Sequence, residues 1–300
     1  MWSSIRPPGQ SSPRLTWPAS SAPIPRQTTA TTSSTASPTA PIPAHSSSPA
    51  NAGPPSSRCG LNPSPDAPLV AGVDGAKGGW VVAVTTTEPG SPVAFSLRPS
   101  FADVWAQAQN QGVVAVGVDM PIGLPGQERR RSDVEARELL GPRRSSLFWT
   151  PPLCALNATD HAEANRLSRV ETGRGLSIQA FHLLPKVREV RAVLTPEDLG
   201  PHAKPQAAEV HPETSFAVLA GQPMAASKRQ PDGQAERLDA LAPEFDNLDR
   251  APPLLAGATL DDLLDAAAAA WTARRMAAGT ATVLGEGDID PTGFPMAIWA

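Results

Sequence analysis

A chain of 300 residues with a formal net charge of −4 and two cysteines has room for one or two domains. It lacks the basic excess of a nucleic-acid coat protein, and it cannot build a disulfide framework or a cysteine-rich zinc site. That balance leaves open an enzyme that grips nucleic acid in one local groove, and the scarcity of cysteine fits a reducing, cytoplasmic setting. No apolar run approaches the length of a membrane span, and the amino terminus has no signal-peptide apolar region.

Residues 1–66 are dominated by Ser, Pro, Thr and Ala and carry no acid before Asp66. Too little apolar surface is present there to offset the entropy of ordering, so a disordered tail is expected. It reads as an extension or as a start placed too far upstream. Residues 67–300 are enough to bury a full core.

The first predicted strand is Leu69 to Val73, a short β-branched run ending at Asp74. Gly75, Gly78 and Gly79 offer a tight reversal with positive φ, and a second strand from about Gly79 to Thr86 closes a hairpin. A third strand spans about Pro92 to Arg98. Ser100 can cap a helix to about Gln109. The fourth strand, Val113 to Asp119, repeats the Gly-Val-Asp ending of the first and stops at Pro121 and Gly123. The intervening helix should set strand 4 parallel to strand 1, since hairpins cannot link parallel neighbours. If the two are adjacent, Asp74 and Asp119 lie roughly 4.8 Å apart at one edge and can share a cation.

A helical insertion of about 121–205 follows. Helices are expected at Arg131 to Leu140, Asp160 to Glu171 and Ser177 to Val193, the last kinked or broken at Pro185. Ala207 to His211 reads as a fifth strand with Glu209 and His211 on one face. Pro212 opens a helix towards Leu219, a polar link carries Lys228 and Arg229, and another helix runs near Ala235 to Leu241. The last clear element is an Ala- and Leu-rich helix from Thr259 to about Ala278. Phe294 to Trp299 adds a closing strand or a packed tail.

Each candidate residue has a functional and a structural reading. Asp74 can hold a divalent metal beside an open glycine turn, or shape the hairpin as an Asx-turn. Asp119 can do the same, or end a strand before Pro121. Thr259 and Asp262 have capping-box spacing, which accounts for Asp261 and Asp262 through the helix terminus. Asp265 lies beyond the first turn on a face made for close packing, where an acid is costly unless it binds something. Glu209 is a ligand or the partner of an arginine. The arginines at 129–131, 143, 144, 166, 169 and 174 form solvated faces or a phosphate-facing patch. Dinucleotide fingerprints, Walker loops and nucleophile elbows are absent from the sequence.

The order of strands and acids resembles the ribonuclease H-like fold, a mixed β-β-β-α-β sheet. More closely, G-V-D-G-A-K-G-G-W, V-G-V-D-M-P-I-G, L-L-G-P-R-R-S-S, L-L-P-K-V-R-E-V, E-V-H-P-E, S-K-R and D-D-L-L-D-A resemble an uncharacterised bacterial family. That family carries a domain-of-unknown-function label and is described as a predicted ribonuclease H-like nuclease. The resemblance covers about Pro68 to Trp299. It implies a nuclease with two Mg²⁺ or Mn²⁺ ions roughly 3.5–4 Å apart. Asp74, Asp119 and Asp265 match the acidic positions of the fold, and Asp262 matches the first acid of the late D-x-x-D of Holliday-junction resolvases. Glu209 falls outside the standard ligands of that branch but joins the catalytic set. Arg143, Arg144, Lys186, His211 and Lys228 are the expected substrate contacts, with DNA or RNA as partner. Two other classes share the start of the fold. An actin-like kinase or ATPase needs a second glycine-rich phosphate loop, which is not evident here. A catalytically silent binding protein would keep the sheet without metal.

Overall fold

The computed structural model describes residue 64 and residues 66–300, so the predicted tail lies almost wholly outside the described residues. A five-stranded mixed sheet organises the rest. Its strands are β1 (Leu69–Ala76), β2 (Gly79–Thr86), β3 (Ala94–Arg98), β4 (Ala115–Asp119) and β5 (Gln206–Glu209), in the spatial order β3-β2-β1-β4-β5. β1 pairs antiparallel with β2 and parallel with β4, and β5 continues the parallel side. Helix α1 (Phe101–Asn110) makes the crossover that permits this, capped by the Ser100 hydroxyl, which accepts from the Asp103 N–H. The expected β-β-β-α-β core, with helices inserted after β4, is therefore present.

The period of two along β1 divides two cores. Ala71 and Val73 pack with Val116 and Val118 of β4 against Phe101 and Val104 of α1, and against Val187 and Val190 of α4 (Ile178–Val193). Val70, Gly72 and Asp74 face the other way, towards α7 (Leu260–Ala277). α7 is buried from Leu263 to Arg274, because the sheet lies on one side and α5 (Pro212–Ala220) and α6 (Pro231–Leu241) on the other. A helix apolar around its circumference needs such a two-sided setting. α2 (Arg131–Leu140) and α3 (His161–Thr172) complete the insertion, and β6 (Val283–Leu284) pairs with β7 (Ile298–Trp299) near the carboxyl end.

Several local expectations change. β1 continues through Gly75 to Ala76, so Asp74 sits within the ladder opposite Val81, two residues before the strand ends. Of the three turn glycines only Gly79 has a positive φ, +136°, and a side chain there would overlap the Arg98 carbonyl. α4 continues through Pro185 without a break, and Leu184 and Val187 on either side are fully buried and hold the turn in place. β5 stops at Glu209, and His211 instead takes extended backbone before Pro212 at the start of α5. α6 begins at Pro231 rather than near Ala235, proline being favoured in a first turn.

Gly72 and Gly117 are register partners in β1 and β4. A Cβ on Gly72 would overlap the Ala270 nitrogen and the Ala266 carbonyl, and one on Gly117 would lie 2.6 Å from the Ala269 oxygen. These atoms are helix backbone and cannot swing away. Gly72→Ala is expected to lower stability by about 1–3 kcal/mol or more, read as the urea midpoint. An unchanged midpoint would show that α7 does not rest on this glycine.

Candidate metal centre

The backbone register carries the first two acids of the site. Asp74 and Asp119 are Cα partners across the parallel β1–β4 pair, two residues beyond the glycine pair and on the same face. Asp265 reaches them from above, in the second turn of α7. One carboxylate oxygen from each of Asp74, Asp119 and Asp265 lies within 4.8 Å of the other two. Asp74 and Asp265 are buried and Asp119 is partly so. The cluster opens into a cavity of about 570 Å³, whose wall includes Asp74, Asp119, Arg143, His211, Lys228 and Arg229.

Three acids this close repel one another. Burial, then Asp119 and Asp265, hold the Asp74 carboxyl well above the usual carboxylate range. Burial and Asp265 push Asp119 up to about 7, against the opposing pull of Lys228 and a hydrogen bond with Asp74. Burial also raises Asp265, although Lys228 works in the other direction. The Lys228 ammonium donates to the Asp265 carboxylate. One ammonium against three carboxylates leaves the cluster formally negative by two charges when all are ionised. Hard oxygen donors, close spacing and unmet negative charge fit Mg²⁺ or Mn²⁺.

A family model described as "Protein of unknown function (DUF429)" matches residues 72–288. The chain belongs to this family. The match takes in all three clustered acids together with Glu209 and Lys228. No curated protein and no solved structure matches the chain.

In this DUF429 chain the remaining predicted residues divide. The Asp262 carboxylate accepts the Thr259 N–H at 2.7 Å, completing the capping box, and stands outside the clustered triad. Glu209 is also occupied: the Arg130 guanidinium donates to both its oxygens, at 2.6 and 2.7 Å, and the Ile122 N–H donates at 2.8 Å. The structural reading of both residues therefore describes their contacts here. The Lys186 ammonium donates to the Gly79 carbonyl and lies 4.3 Å from the Trp80 ring centre, so its charge supports the hairpin. Arg143 lines the cavity, whereas Arg144 is exposed and lends its carbonyl to Arg137. His211 lines the cavity as a neutral ring, its pKa lowered to about 4 by burial, and its Nδ1 has no partner.

Sequence reasoning treated residues 129–131 as one arginine run, yet the three separate. Arg130 is buried and joins Asp133 to Glu209 under the site, while Arg129 and Arg131 are exposed. No local signal in this polar stretch marks Arg130 as the inward side chain. Glu213, in the first turn of α5, also lines the cavity; its Oε1 pairs with Arg237 at 2.5 Å and its buried Oε2 has no partner.

Two outcomes follow from these charges. Asp119 keeps its proton in the native state up to about pH 7 but releases it near 3.8 when unfolded, so its contribution to stability falls as pH rises across that window. Asp119→Asn should therefore raise the urea midpoint above wild type at pH 8 and converge with it at pH 4; the same gap at both values would remove charge repulsion as the cause. Arg130→Met leaves Glu209 and Asp133 buried without their cation, and a loss of about 3–5 kcal/mol is expected. Thermal unfolding reads it, and a wild-type melting temperature would show that the three-residue cluster carries no stability.

Proposed function

We propose that this protein is a divalent-metal-dependent phosphodiester hydrolase, a nuclease acting on DNA or RNA. The observation that carries this reading is the meeting of Asp74, Asp119 and Asp265 within 4.8 Å at the wall of an open cavity that also presents Arg143, Lys228 and Arg229. Carboxylates able to hold a cation, with further cations lining the same cavity, suit a phosphate group approaching that cation.

Asp74, Asp119 and Asp265 would hold Mg²⁺ or Mn²⁺. Such ions lower the pKa of water and neutralise charge on phosphoryl oxygens. Asp262 and Glu209 are committed to the helix cap and to Arg130, so a second ion would have to share the oxygens of the triad. The Lys228 side chain is 39% exposed while its ammonium touches Asp265, which places one cation against both the acids and the cavity. Its task is to orient Asp265 and to meet a non-bridging phosphate oxygen. His211, neutral above pH 4, offers hydrogen bonding without charge.

The Lys228–Asp265 pair favours one second reading, a binding protein in which the ammonium replaces the metal. Calorimetry with Mn²⁺ separates the two, since a substituted site takes up no ion. For the hydrolase, Mn²⁺ should support cleavage of labelled single- or double-stranded DNA or RNA. Asp74→Asn and Asp265→Asn should each reduce the rate by about 10²–10³-fold, as expected for losing a group that stabilises developing charge. Cleavage that persists in both variants, or ATP turnover without cleavage, would overturn the assignment.

A further inference from the structure

A second cavity, of about 320 Å³, adjoins the first, and Ser145, Leu147, Phe148 and Thr150 line both. Three arginines reach into it. The guanidinium carbon of Arg129 lies 3.6 Å from the Trp149 ring centre and that of Arg137 lies 4.5 Å away, while Arg174 lines the same space. Their hydrogen bonds go to neutral groups. Arg137 donates to the Arg144 and Leu147 carbonyls at 2.7 and 2.5 Å, and Arg174 donates to the Gln127 carbonyl. Among the described residues no ion pair joins any of the three to a carboxylate, although the buried Arg130, Arg237 and Arg274 each have one. Glu128 lines the cavity as well, exposed and unpaired with them.

Guanidinium groups gathered this closely raise one another's energy. Burial, then Arg174 and Arg137, lower the pKa of Arg129, a sign that the cluster is short of negative charge. Trp149 holds two of the forks in place by stacking, so their donors are oriented before any partner arrives. An oxyanion with several acceptor oxygens satisfies such a set, and phosphate is the matching chemistry. Between this place and the acidic triad stands Phe148, 45% exposed, on the wall common to both cavities. The arginines of this cavity, the aromatic Phe148 and the Arg143 and Lys228 cations of the first cavity match the alternation of phosphate, base, phosphate along an unpaired strand.

We infer that Arg129, Arg137 and Arg174 around Trp149 form a second phosphate subsite, which holds the backbone of a single-stranded nucleic acid while a neighbouring phosphate of that strand lies at the triad. This deepens the hydrolase reading and rests on it for the second half of the statement. Phe148 then serves as the platform for an intervening base.

Binding of a fluorescein-labelled oligothymidylate, followed by anisotropy in EDTA where metal-dependent hydrolysis is off, tests the subsite apart from the chemistry. The Arg129→Ala/Arg174→Ala double variant should bind about tenfold more weakly. The slope of its log affinity against log salt should shrink by about 0.7, the value for one lost phosphate contact on a single strand. Phe148→Ala should weaken binding about tenfold and leave the slope in place. Arg129 is exposed and stacks without hydrogen-bonding, so Arg129→Glu supplies a variant that keeps its fold and should bind more weakly still. Wild-type affinity and slope in the double variant overturn the inference. So does an equal loss in Arg131→Ala, whose side chain pairs with Asp288 outside both cavities, because the effect would then be diffuse surface charge. Tight binding of inorganic phosphate with no oligonucleotide binding overturns the strand. Oligonucleotide binding that depends on these arginines, with no Mn²⁺-dependent cleavage, leaves the subsite standing and removes the hydrolase reading. Cleavage indifferent to the arginines does the reverse.

Discussion

Everything at the candidate site depends on how closely the backbone of α7 lies against the sheet. Gly72 and Gly117, paired across β1 and β4, leave no Cβ between strand and helix. The alanines from Ala266 to Ala270 meet them with the smallest side chain a helix can carry. This contact fixes both the height and the register of α7. Asp265, one residue before that alanine run, consequently lands over Asp74 and Asp119, which follow the two glycines by two residues on the same face. A bulkier contact would lift the helix and pull the third acid away from the first two.

That geometry is electrostatically costly, and the surrounding charges show how the fold contains the cost. The triad keeps its acids close at raised pKa values and supplies one ammonium, from Lys228, as partial compensation. Elsewhere at the cavity the acids have guanidinium partners, Glu209 and Asp133 sharing Arg130 and Glu213 pairing with Arg237. Buried pairs of this kind contribute little net stability, but losing one partner is expensive. They act as a frame in which every acid has a guanidinium partner. The contrast between that frame and the triad, where one ammonium faces three carboxylates, is the reason to look for a cation at Asp74, Asp119 and Asp265 and not at Glu209.

The legible part of the site was the part written in local pattern. Two Gly-Val-Asp strand endings, joined through one crossover helix, implied parallel neighbours and so adjacent carboxylates; the register of β1 and β4 has that pairing. The capping spacing of Thr259 and Asp262 explained those two residues and left Asp265 as the acid without a local excuse, which is how the structure distributes them. Glu209 resisted because its partner, Arg130, stands 79 residues away. Nothing in a three-arginine run says which member turns inward. Pro185 does not break α4, whose flanking side chains Leu184 and Val187 are held in the core. Phe148 and Trp149 drew no attention because a lone aromatic acquires meaning only from the cavities it divides.

The sequence by itself determined the alternation of the strands, the crossover that makes β1 and β4 parallel, the capped alanine-rich helix, and Asp265 as the acid with no local role. These are properties of neighbours within a few residues, where backbone sterics and hydrogen bonding act directly. Tertiary structure alone decided that Asp265 met the two strand acids and which other acids were neutralised. It also decided which arginine was buried and where two cavities shared a wall. Those outcomes turn on Coulomb energies and close packing between segments far apart in the chain, and both vary steeply over an ångström or two, a scale that residue spacing does not encode.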